Sequence, residues 1–144
     1  TSRTHDPNVW PPYMNGPGNK DIIFNELLID WEREVTLVEG VFDAIVAGEN
    51  SIPLLGSTLR EDSKLFMKIV KNDTPVLLGL DADAQKKAMR LVKALLAYDI
   101  EVRMMDTSGY KDIGEMPRDV FQQRKEKAPF IDSDTYLLRI ALTA

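Results

Sequence analysis

Two acids one position apart, Asp81 and Asp83, follow the apolar run Val76–Leu80 and stand directly before a long helical pattern. Carboxylates that close repel each other unless a positive group joins them. An aspartate at a helix start is often only a cap or a partner of the N-terminal dipole. That accounts for Asp83 or Asp43 taken singly. It does not account for Glu39, which follows Leu37-Val38 at the end of a buried strand pattern and precedes Gly40, a residue that permits a tight turn or a close backbone approach. Asp112 and Glu115 lie beside Lys111 in a loop after a further strand pattern. Three or more carboxylates converging without Arg or Lys at matching positions need a counter-charge, and hard oxygen donors suit Mg2+ or Mn2+. Such an ion stabilises charge on a transferring phosphoryl group and lowers the pKa of a bound nucleophile. The chemistry implied is phosphoryl transfer or phosphodiester cleavage.

The elements that must position these acids are marked by regular punctuation. Short strands are expected over 34–40, 51–56, 75–81 and 101–106, the third with the continuous apolar run of a strand buried on both faces. Between them come helical patterns: 41–49 with Gly48 as a C-cap, a helix capped by Ser57 or Thr58 and running to about Asn72, and 84–98 with Ala84, Ala88, Leu91, Val92, Leu95 and Leu96 on one stripe. Pro117 suits the first turn of a helix to about Lys127, and the tail reads as another helix from near Ser133. This alternation predicts an α/β fold, an about four-stranded parallel sheet with right-handed crossovers, and open α/β sheets form their sites at the carboxyl ends of the strands. The expected division is an irregular arm over 1–33, a core over 34–116 and a helical extension over 117–144. The first twenty residues are rich in Pro, Gly and Asn, and 21–31 reads as a short helix or as a strand and turn.

Composition narrows the classes. With 144 residues, 44% hydrophobic and 28% charged, the chain is that of an ordinary globular domain. Its net charge of −5 argues against strong non-specific nucleic-acid binding by this chain alone, which needs Lys and Arg on phosphates. It leaves open nucleic acid reached through metal or a basic neighbour. There is no cysteine, hence no disulfide and no cysteine zinc ribbon, and the single histidine, His5, makes zinc unexpected. No apolar run approaches the ~18–20 residues of a membrane span, so no membrane partner is expected and the cytoplasm is the expected compartment. The chain begins at Thr1 and reads as a piece of a longer protein. Other motifs are weaker. The glycines at 16–18 follow no strand, and Ser57 has no histidine nearby. Lys86, Lys87 and Arg90 open the helix after Asp83. They read as a solvated face, except Lys86, which lies nearest the helix start and is a candidate phosphate contact.

In order and spacing, "LVEGVFDAI" (37–45), "LLGSTL" (54–59), "LLGLDADAQKKA" (77–88) and "GYKDIGEM" (109–116) resemble the motifs of the Toprim domain. The resemblance covers residues 34–116. "VEGVFDA", "GSTL" and "YKDIGEM" are similar to the forms found in DNA primases of bacteria and bacteriophages, with a flavour closer to the phage proteins, and "PPYMNGPGNKDIIFN" (11–25) resembles the stretch leading into this domain in primases. The resemblance implies Glu39 as metal ligand or general base and acid, Asp81, Asp83 and Asp112 as metal ligands, and Asn15, Lys86 and Lys111 near nucleotide or nucleic acid. Gly40, Asp43 and Gly56 are then structural. It implies Mg2+ or Mn2+ as cofactor, single-stranded DNA template and ribonucleotides as partners, and a replicative helicase met through other domains. Where the family has a second acid after Asp112, this chain has Gly114, which puts a second metal in doubt; Glu115 matches a different family position. Primer synthesis by this chain alone is not expected. A Toprim metal-dependent nuclease and a non-catalytic Toprim interaction module stay open as rivals.

Overall fold

The computed structural model describes residues 23, 26–55, 63–81 and 83–143 of the chain. Five strands form one sheet: β1 (Val35–Val38), β2 (Ser51–Pro53), β3 (Val76–Gly79), β4 (Val102–Met104) and β5 (Phe130–Ile131). Their order is β2-β1-β3-β4-β5. The first four are mutually parallel, with Leu37 opposite both Ile52 and Leu78, and Leu78 opposite Met104. β5 joins β4 antiparallel through the pairs Val102–Ile131 and Arg103–Phe130. The sheet therefore has one strand more than its sequence pattern suggests. Two residues behind Pro129 are too short a run to show a period.

Helices α1 (Val41–Ala47), α2 (Lys64–Asn72), α3 (Gln85–Ala97), α4 (Arg118–Lys127) and α5 (Ser133–Thr143) flank the sheet. Alternation along the strands divides the core. Val35, Leu37, Val76 and Leu78 pack with Phe66 and Ile69 of α2 and with Leu91, Val92 and Leu95 of α3. Val38 and Leu77 point the other way, into a second cluster with Ala44 and Ala47 of α1 and Phe121 of α4. Both faces of β1 and β3 are thus covered, as their unbroken apolar runs require. The segment after 117 belongs to this core, since Phe121 and Ile131 are buried in it; Leu137, Leu138 and Leu142 of α5 stay exposed.

Helix ends follow local chemistry. α2 starts at Ser63, whose hydroxyl accepts the Phe66 N–H at 3.2 Å. The expected caps Ser57 and Thr58 lie outside the described residues. Among the described residues of the 21–31 stretch there is a 3-10 turn, Glu26–Leu28. Among the described residues no helix is long and apolar enough to cross a membrane.

Arg103 on β4 ties distant parts together. Its guanidinium donates to both Glu34 carboxylate oxygens at 3.0 and 2.9 Å, ahead of β1. It also donates to the carbonyls of Ala128 and Lys125 at the end of α4. Arg103→Met leaves a half-buried carboxylate and two helix-end carbonyls without this donor. It is expected to cost about 2 kcal/mol of stability, because unpaired buried acceptors pay their desolvation in full. Urea unfolding monitored by circular dichroism measures it, and a loss below about 0.5 kcal/mol would place this pair with ordinary surface salt bridges.

Candidate functional site

The order β2-β1-β3 places a topological switch between β1 and β3. The helix after β1 packs on one face of the sheet and the helix after β3 on the other. Crevices at such points, outside the carboxyl ends of the strands, are where open α/β sheets bind ligands. Glu39 is the first residue past β1, and Asp81 the second past β3. Both side chains are half-buried.

Asp43, in the first turn of α1, organises this edge. Its Oδ2 accepts the Gly40 N–H at 3.0 Å, which satisfies a donor at the helix start. Its Oδ1 accepts the Gly114 N–H at 2.7 Å. One buried carboxylate therefore joins the β1–α1 turn to the loop after β4. That loop is self-capped. Asp112 Oδ1 accepts the Glu115 N–H at 3.0 Å, and Glu115 Oε1 accepts the Lys111 N–H at 3.0 Å, around the 3-10 turn Ile113–Glu115. The loop is also seated from within. Ile113 is fully buried, and a Cβ on Gly79 would lie 2.3 Å from its Cδ1. A Cβ on Gly114 would lie 3.0 Å from Asp43 Oδ1 and 3.2 Å from Asp112 Oδ1, so a side chain there meets two carboxylates.

The electrostatics follow from this convergence. Burial, and then the charges of Asp43, Glu39, Asp112 and Asp83, push the Asp81 carboxyl from an ordinary 3.8 up to about 6. Its Oδ1 is the one buried side-chain oxygen or nitrogen among the described residues with no hydrogen-bond partner. Burial also raises Asp43, against the lowering effect of its bonds from Gly114 and Gly40, with Asp112 and Glu39 raising it further. Asp83 is exposed and does not cap α3. The N-cap position is Ala84, and no side chain caps that helix.

One expectation is corrected here. The carboxylates do not converge without a cation, because the Lys87 ammonium lies 3.2 Å from Glu39 Oε1. Lys86, preferred in the sequence for its position, is exposed, as is Lys111. Helical rotation explains why Lys87 and not Lys86 pairs with Glu39: one residue further along α3 turns the stem toward β1, and that cannot be read without knowing which face packs. Asn15 and Gly56 lie outside the described residues. Gly79, missed in the sequence, could have been noticed as a small residue inside a buried strand, a mark of close approach.

For a hard divalent cation the donor chemistry is suitable: carboxylate oxygens from three strand ends, one of them buried and unpartnered. The side chains as they stand are not gathered into a cage. Among the described residues no three His, Cys, Asp or Glu are grouped so that they could hold an ion.

Asp81 holds its proton more tightly folded than unfolded. Between about pH 4 and about pH 6 the folded chain therefore binds more protons, and stability falls as pH rises. Without divalent ions, Asp81→Asn is expected to flatten that fall and to melt higher than the wild type at pH 7. Thermal unfolding from pH 4 to 8 checks this; superimposable profiles would mean that Asp81 feels no uncompensated charge.

No family model matches the chain, and no curated protein matches it. Among solved structures, the fold is similar to the Aquifex aeolicus primase, in a structure of its zinc-binding and RNA polymerase domains. The TM-score is 0.56 at 20% identity, over 68% of this chain and 26% of that one. The chain thus spans about a quarter of the length of the protein it matches.

Proposed function

We propose that this chain is the catalytic Toprim portion of a DNA primase, joining ribonucleotides on a single-stranded DNA template by metal-assisted nucleotidyl transfer. The observation that carries the reading is Asp81: a half-buried carboxyl with one buried, unpartnered oxygen, among Glu39, Asp43, Asp83 and Asp112, at the switch point of the sheet. The ordered motifs of residues 34–116 and the likeness of the fold to a primase support it.

In this reading Asp81, Asp83, Asp112 and Glu39 hold Mg2+ or Mn2+, which supplies charge neutralisation on phosphate and activation of a hydroxyl nucleophile. Glu39 accepts the proton from that nucleophile. Asp43 does not touch substrate; it positions Asp112 by holding the Gly114 N–H. Lys111, exposed beside Asp112, reaches toward phosphate, and Asn15 orients the nucleotide. The net charge of −5 fits a half-site whose template groove is completed by basic surface from elsewhere, with a replicative helicase met through other domains and the cytoplasm as the compartment. Primer synthesis by this chain alone is accordingly expected to be slight.

A second reading has an observation of its own. The ungathered acids and Gly114 favour a non-catalytic interaction module on the same scaffold. Calorimetric titration with Mn2+ separates the two. The wild type is expected to bind in the micromolar to millimolar range, with Asp81→Asn and Glu39→Gln each weaker by about tenfold or more. No binding at millimolar Mn2+ would bring the interaction module forward. Mn2+-dependent cleavage of a labelled oligonucleotide, without primer synthesis when basic partner domains are supplied, would instead favour a nuclease.

A further inference from the structure

Lys87 stands in the first turn of α3, where a positive charge opposes the helix dipole. No acid of that turn offsets it, and no side chain caps the helix. The ammonium is held instead by Glu39, a residue 48 positions earlier and at the end of a different strand. The two side chains are only 17% and 23% exposed, so the pair is shielded from the solvent that weakens surface ion pairs. Lys68–Glu26, at 40% and 45% exposure, is an ordinary surface pair by comparison.

Glu39 therefore has two claimants. The reading above makes it a ligand and a proton acceptor, yet one of its oxygens is already occupied by a cation. Two cations at one carboxylate repel, so a divalent ion and Lys87 cannot both be held there at full strength. A released lysine does not leave the site, because its four-carbon stem is anchored on a rigid helix and its three donors rotate freely. Divalent ions at phosphoryl-transfer sites are held by one or two carboxylates together with substrate phosphates. A phosphate sharing the ion with Glu39 comes within reach of an ammonium that starts 3.2 Å from that carboxylate.

We propose that Lys87 is a transferable counter-charge: it competes with the divalent cation for Glu39 and, once displaced, binds the phosphates of the incoming nucleotide. This rests on Glu39 being a metal ligand. Lys87 is then a phosphate-binding residue in use, and a brake on metal binding before nucleotide arrives. Metal and nucleotide are thereby coupled, since each favours the state in which Lys87 has left Glu39.

The test uses the full chain, calorimetry, Mn2+ and inorganic tripolyphosphate. Lys87→Met is expected to bind Mn2+ at least about two- to fivefold tighter than the wild type, the gain that removing even an exposed competing ion pair would give. With Mn2+ saturating, the same variant binds tripolyphosphate several-fold more weakly. Without Mn2+, Glu39→Gln binds tripolyphosphate more tightly than the wild type, and adding Lys87→Met abolishes that gain. Lys87→Gln, which keeps a polar tip, repeats each comparison in case methionine disturbs α3. Unchanged or weaker Mn2+ binding in both Lys87 variants, or tripolyphosphate binding indifferent to Lys87, overturns the proposal. The metal reading survives that result as long as Asp81→Asn still weakens Mn2+ binding by about tenfold or more. If wild type and variants alike bind no Mn2+, both fall together.

Discussion

The site depends on how the loop after β4 is held against the carboxyl ends of β1 and β3. That loop carries Asp112, yet it belongs to a strand that is not the neighbour of β1. Two contacts bring it across. Ile113 fills the space that a side chain on Gly79 would occupy, and Asp43 accepts the Gly114 N–H while capping α1. The first contact is apolar and gains from burial; the second is polar and rests on a carboxylate that burial itself disfavours. The two backbone N–H bonds offset much of that cost, because charge-assisted bonds are among the stronger ones. A substitution at Gly79 or Asp43 would thus loosen the acidic edge without touching Glu39, Asp81 or Asp112.

Holding the loop there has a price in repulsion. The carboxyl of Asp81 is raised first by burial and then by the four other acids that the fold brings into its field. A chain selected for stability alone would place a hydrogen-bond donor beside Asp81 Oδ1, or an apolar residue in its stead. Strained electrostatics at one edge of an otherwise well-satisfied domain is the pattern of a functional site. Gly114 fits the same account, since any side chain there would press on the carboxylates of Asp43 and Asp112.

Much of this was legible in the chain itself. The buried runs 35–38 and 76–79 and the stripe of α3 declare their elements through apolar period alone. Glu39, Asp81 and Asp83 could be placed just past strand ends, because the apolar runs before them mark where β1 and β3 stop. What escaped depends on rotation and register. Lys86 and Lys87 are equivalent by type, and only the packed face of α3 decides which stem reaches β1. Ser63 caps α2, and residue type alone does not single it out among the serines and threonines before the apolar stripe. β5 is two residues long and exists because β4 offers an edge, a cause that lies in another part of the chain.

The acidity of the chain then acquires a location. Glu39, Asp43, Asp81, Asp83 and Asp112 lie together at this edge, with the Lys87 ammonium paired to one of them. A low isoelectric point would ordinarily speak against a nucleic-acid partner, because an evenly acidic surface repels phosphate. A charge gathered at one strand-end crevice does something different. It favours a cation at that one place. In the proposed reading, the same five carboxylates would repel nucleic acid from the bare chain and, once they held a cation, would favour phosphate.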